Sequence, residues 1–156
     1  MTRVFLILAA LAGPALAEPG SPLRAGDLEI SGGFARATLP RAPVAGAYVT
    51  LRNTGAQDDR LTGATTPAAA GVQIHAMTHR DGVAAMQPLP DGLPVPAGAT
   101  VTLEPGGLHL MLTGLTAPLV AGQSLDMVLR FEQAGEVAVR LPVLPTTARG
   151  PADGGH

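Results

Sequence analysis

Six side chains able to hold a soft metal ion fall in two short segments of this sequence. His75, Met77, His79 and Met86 lie within twelve residues, and His109 and Met111 form a second group. The whole chain has only 4 His and 5 Met, one of which is the initial Met1. Imidazole nitrogen with thioether sulfur is a neutral, soft donor set. Thioether selects Cu(I), whereas Zn, Mg and Ca take imidazole with carboxylate, or oxygen alone. A thioether needs no deprotonation and forms no disulfide; its liability is oxidation to the sulfoxide. The set suits holding Cu(I) outside the cytoplasm and giving it up again.

What is missing narrows the chemistry further. There is no Cys, which excludes disulfides, cysteine nucleophiles, iron–sulfur clusters, thiolate zinc sites and the blue-copper thiolate. No Ser-centred elbow, HExxH helix or phosphate loop is present, so the sequence reads as a binding protein and not an enzyme. Charged residues make up 14% with a net charge of -2, which is unlike a nucleic-acid binder. Two other readings compete. His75, His79 and His109 with Asp81 are the raw material of a zinc-dependent hydrolase, but that leaves the Met placement unexplained. A metal-free secreted adhesion or assembly module would use the Met residues as a docking patch.

The elements that must position these groups are strands. Hydrophobic residues reach 46% of the 156, with 20 Gly and 15 Pro interrupting any helical pattern. Period-2 alternation predicts strands at 28–31, 33–37, 46–52, 61–64, 71–77, 83–89, 100–103, 108–112, 124–132 and 136–143. Turn signals separate them, among them Asn53-Thr54-Gly55, Asp81-Gly82 and Pro105-Gly106-Gly107. The fold class is therefore all-β, an antiparallel sandwich or Greek-key barrel. Within 72–77 alternation puts Val72, Ile74 and Ala76 on one face, with His75 and Met77 on the other. Within 108–112 the three Leu take the core face, and His109 and Met111 share the opposite one. Met127 reads as packing, with Ser124 and Asp126 toward solvent.

Residues 1–17 read as a signal peptide: Arg3, an apolar run from Val4 to Leu11, a Gly13-Pro14 break, then Ala15-Leu16-Ala17. Cleavage after Ala17 would deliver residues 18–145 to the periplasm as one domain. No other segment is long and apolar enough to span a bilayer, so no stable membrane insertion is expected. The strand pattern stops at Thr146, and 146–156 reads as a flexible tail.

At the same residues the sequence resembles the periplasmic PCu(A)C copper chaperones. The resemblance is carried by His75-Ala76-Met77, Gly82-Val83, Met86 and the run Pro105-Gly106-Gly107-Leu108-His109-Leu110-Met111-Leu112. Ten residues separate His75 from Met86 and twenty-two separate Met86 from His109, one more than is usual in the family. The stretches Phe34-Ala35-Arg36-Ala37, Gly46 to Gly55 and Asp59-Arg60-Leu61 are also similar to the family's early strands, with Phe34 where Trp is common. The resemblance implies a cupredoxin-like barrel holding Cu(I) through His75, Met86, His109 and Met111. From its own position, Met77 shares the face of His75 and is an auxiliary candidate to screen the metal or substitute as a ligand, while His79, in the turn with Asp81, reads as a surface residue and the weaker auxiliary. It further implies transfer to an acceptor such as a cytochrome c oxidase subunit, toward its CuA centre, or a Sco-type protein. A monomer or a copper-bridged dimer is expected. The tail lacks a His/Met-rich extension, leaving only His156 for a secondary Cu(II) site.

Overall fold

In a computed structural model, residues 22–151 of the chain are described. The expected signal peptide, its cleavage point and His156 lie outside these residues. Eleven strands follow one another: β1 (Leu23–Ala25), β2 (Leu28–Arg36), β3 (Val44–Asn53), β4 (Asp59–Thr65), β5 (Ala69–Arg80), β6 (Val83–Pro88), β7 (Leu93–Val95), β8 (Thr100–Thr102), β9 (His109–Leu115), β10 (Ser124–Phe131) and β11 (Gly135–Leu144). There is no α-helix among the described residues.

The strands are ordered β6-β5-β9-β3-β2-β11-β10-β4-β7, with β1 also on β2 and β8 also on β3. Two layers result. The first runs from β6 to β2, the second from β11 to β7. Their strands pair with each other only where Val143 and Leu144 of β11 run parallel to Ala35 and Arg36 of β2; every other pairing is antiparallel. The inner faces meet in a core of Ala45, Ala47, Val49, Leu51, Ile74, Leu110 and Leu112 from one layer and Met127, Leu129, Phe131, Val139 and Leu141 from the other. β10 and β11 alternate buried and exposed almost without fault, as strands with one wet face must. Met127 is in the core, and Ser124 and Asp126 are exposed.

The break expected at Gly32 is a bulge inside one strand. β2 gains a residue against β3 between the pairs Ser31–Thr50 and Phe34–Tyr48, with Gly32 at φ +59°, where a side chain would be strained. The extra residue changes parity. Leu28 and Ile30 point into the core before it, but after it Ala35 does, and Phe34 and Arg36 turn to the outer face beside Tyr48. Two three-residue strands, β1 and β7, were not expected, since three residues carry too little alternation to read. The segment expected as a flexible tail is tied down at its start. Ala148 is buried, its N–H donates to Pro145 O (3.0 Å), and its carbonyl accepts from Arg36 Nε (2.7 Å).

Candidate metal centre

β5 has twelve residues and changes partner along its length. It pairs with β9 as far as His75–His109, and with β6 from His75–Pro88 to the hairpin end. β9 starts at His109, so beyond that point β5 has lost its neighbour on that side. The loss opens a groove of about 440 Å³, lined in part by Tyr48, Met77, Met86, His109 and Met111.

Register decides how the donors meet. His75 stands directly across from His109, and Gln73 across from Met111, on the face away from the core. Met77 stands directly across from Met86. The two histidines are therefore the centre of the group, with Met86 and Met111 approaching from opposite corners. Met77 shares the groove. His79 is exposed and pairs with Ala84 four residues beyond His75, about 13 Å along an extended strand. The structure does not bring His79 to the others.

The imidazole rings are 5.5 Å apart and nearly perpendicular, at 71°. His109 is only 5% exposed. Its Nδ1 lies 2.9 Å from Gly107 O. A carbonyl only accepts, so Nδ1 carries the proton and Nε2 is left as a bare lone pair. His75 is arranged in the opposite sense: its Nε2 lies 2.9 Å from the amide oxygen of Gln73, leaving Nδ1 bare. Those two bare nitrogens, His75 Nδ1 and His109 Nε2, are buried and have no hydrogen-bond partner. An orphaned buried acceptor costs about 1–3 kcal/mol, and two on neighbouring rings beside the groove call for a ligand. Burial, and then the neighbouring His109, hold the His75 imidazole below the usual histidine value, keeping it neutral and available for coordination.

The donor set contains no carboxylate. Among the described residues no three His, Cys, Asp or Glu come together as a metal site. The zinc-hydrolase alternative therefore lacks its ligands: His79 is far out along β5, and Asp81 is in the exposed turn after it. Two neutral imidazoles with thioethers suit Cu(I).

Sequence reasoning missed the groups that shape this set. Gln73 and the Gly107 carbonyl fix the tautomers, although each lies two residues before a His, as alternation would place a same-face neighbour. Tyr48 forms a wall of the groove, packed on Phe34 at 4.9 Å between ring centroids. It lies over Gly46, where a Cβ would come within 2.6 Å of the phenol oxygen. Burial raises the Tyr48 phenol above its usual value, and the Arg36 charge partly opposes this.

An all-β cupredoxin-like domain with a His/Met groove is the class that fold and site define, and comparison with known proteins agrees. The family model described as "Putative lipoprotein LpqE-like" matches residues 28–143. The chain belongs to this LpqE-like family. The "Putative lipoprotein Lxx21020" of Leifsonia xyli subsp. xyli is 36% identical over 146 residues, 91% of this chain and 87% of that protein. The copper-bound PCuAC domain from PmoF2 superimposes with a TM-score of 0.67 at 28% identity, over 79% of this chain and 97% of that one. The solution structure of CuI-DR1885 from Deinococcus radiodurans gives 0.62 at 31% identity, over 82% and 83%. The expected PCuAC-type fold and the expectation of a non-enzymatic domain agree with that placement. No helix among the described residues is long and apolar enough to cross a membrane.

Proposed function

We propose that this protein is an exported copper chaperone that binds one Cu(I) through His75 Nδ1, His109 Nε2 and the thioethers of Met86 and Met111. The observation that carries the reading is the pair of buried, partnerless nitrogens on two neighbouring rings, 5.5 Å apart, of which His109 lines the groove with Met86 and Met111. Copper-bound relatives of the same fold support it. Met77 screens the ion or substitutes as a ligand.

Transfer proceeds by ligand exchange. Met86 is 52% exposed on the outermost strand, so it is the donor an incoming ligand displaces first. The half-buried Met111 and the buried His109 hold the ion until the acceptor has bound it. No bond to carbon is made or broken, and no general base is needed. The acceptor is a copper-receiving protein, and delivery toward the CuA centre of cytochrome c oxidase, directly or with a Sco-type protein, is the route proposed. The leader at 1–17 sends the domain to the periplasm. None of the 156 residues is Cys, so a lipid carried on a cysteine thiol has no attachment atom in this sequence.

Anaerobic titration of the chain from Glu18 with Cu(I), against a chromophoric chelator, tests the site. One equivalent should be held tightly, and Met86→Ala and His109→Ala should each weaken it. Wild type failing to compete, or both variants binding as well as wild type, would overturn the copper reading in favour of a metal-free docking module.

A further inference from the structure

We infer that the groove beside the copper ligands is a docking surface for an acceptor that presents a carboxylate in the same segment as its own soft ligands, and that Arg36 receives that carboxylate. The inference rests on the copper-transfer reading above and names the chemistry of its partner.

Apolar exposure is concentrated at the groove. Leu39 (73% exposed), Val44 (43%) and Met86 line it, and Val83 is exposed on the same strand as Met86. Scattered exposed apolar residues need no explanation, but several gathered around one opening mark an interaction site.

Charge selects the partner. Among the described residues, Arg36 is the one charged residue lining the groove. The ion pairs of the described residues involve Arg24, Arg52, Arg60, Arg130 and Arg140, and Arg36 has no carboxylate partner among them. It is nevertheless held in place. Nε donates to Ala148 O at 2.7 Å, and the guanidinium carbon lies 5.8 Å from the centre of the Tyr48 ring. One edge of the fork is thus used and both Nη groups remain, a geometry that takes a carboxylate through two donors. Cu(I) held by neutral ligands adds a second positive charge, and no acidic residue lines the groove among the described residues. Two uncompensated cations in an apolar rim complement an anionic partner.

The placement also suits ligand exchange. Arg36 on β2 and Met86 on β6 stand at opposite ends of the first layer, four strand spacings apart, or about 19 Å along the sheet. A partner anchored by its carboxylate at Arg36 spans the groove and brings its soft ligands to the Met86 side, where the copper is exposed.

The test uses two synthetic peptides with the same Cys-x-x-x-Cys core, one flanked by two Glu and the other by two Gln. Transfer of Cu(I) from the loaded protein is followed by stopped flow, beside an equilibrium chelator titration of each variant. Wild type should deliver to the Glu peptide about 3- to 10-fold faster at low salt, as a single steering charge allows. The preference should shrink at high ionic strength, vanish in Arg36→Gln and persist in Arg36→Lys. Copper affinity should be unchanged in both variants. No preference in wild type, or a preference that survives Arg36→Gln, overturns the docking role and leaves the copper site standing. Wild type holding no Cu(I) overturns both. Should Arg36→Gln fold poorly, the wild-type salt series decides, and a preference insensitive to salt counts against the inference.

Discussion

His75 and His109 face each other directly across the β5–β9 ladder, and each leaves a different nitrogen buried without a hydrogen-bond partner. One ring is turned by a side-chain amide two residues before it, the other by a backbone carbonyl two residues before it. The bare atoms are buried, and the hydrogen-bond partners set a different tautomer on each ring. Under the copper reading proposed above, the site is prepared by hydrogen bonds that do not touch the metal.

Gln73 should matter to the metal and not to the fold. Gln73→Leu removes the acceptor that holds the His75 Nε2 proton, and a lost outer partner of this kind lowers metal affinity about 10- to 100-fold. The residue is exposed, so stability should stay within about 0.5 kcal/mol of wild type. Chelator competition and a thermal melt on the same sample check both. Undiminished affinity would mean that Gln73 does not orient the ring.

The pH response follows from His75. Its folded value lies below the ordinary 6.5, first through burial and then through His109. The charged form is disfavoured in the fold, so the unfolded chain takes up this proton first as pH falls. Stability from the group is complete above 6.5 and is lost as pH drops from there through the lowered value. An NMR titration of the copper-free chain should give a His75 midpoint below 6.5. The midpoint should rise in His109→Leu, and a fall there would contradict the second cause.

Two methionines should separate binding from folding. Met86→Ala, at a 52% exposed position, is expected to weaken Cu(I) binding while leaving the melting temperature nearly unchanged. Met127, 2% exposed in the core, should behave in the opposite way. Met127→Ala costs about 2–5 kcal/mol but leaves the folded fraction with wild-type copper affinity. Equal effects of the two substitutions on either property would undo the assignment.

Gly46 is required by Tyr48. A Cβ at position 46 would meet the phenol oxygen at 2.6 Å, so the ring, packed on Phe34 and lining the groove, would have to shift. Gly46→Ala should destabilise by about 1–3 kcal/mol, and the Gly46→Ala/Tyr48→Phe double variant should recover part of it. Denaturant melts of the three variants decide.

Asn53 ties together the far end of the molecule. Its amide nitrogen donates to Gln57 O (2.7 Å) and Val95 O (3.0 Å), and its oxygen accepts from Gly55 N–H (3.0 Å). Asn53→Ala leaves these groups without partners at a buried position, where one such loss costs about 1–3 kcal/mol. A denaturant midpoint well below wild type is expected, with Cu(I) affinity of the folded protein unchanged because the site is elsewhere.

Much of this site is legible in the sequence because side-chain direction in an extended strand alternates locally. That periodicity alone places His75 with Met77, and His109 with Met111, away from the core. The absence of Cys likewise excludes thiolate ligands from composition alone, whereas only the fold shows that no carboxylate joins the group. Other features depend on what lies across the chain. Gly32 reads as a break between strands, and only the pairing of β2 with β3 makes it the bulge that turns Arg36 toward the groove. The register of β5 on β9 was likewise out of reach, because a one-residue slip would exchange the faces of His109 and Leu110, and core packing is what forbids it. The choice of nitrogen on each ring is the last decision of this kind. A tautomer is set by its hydrogen-bond partner, and Gln73 and Gly107 become partners only once the strands have brought them into place.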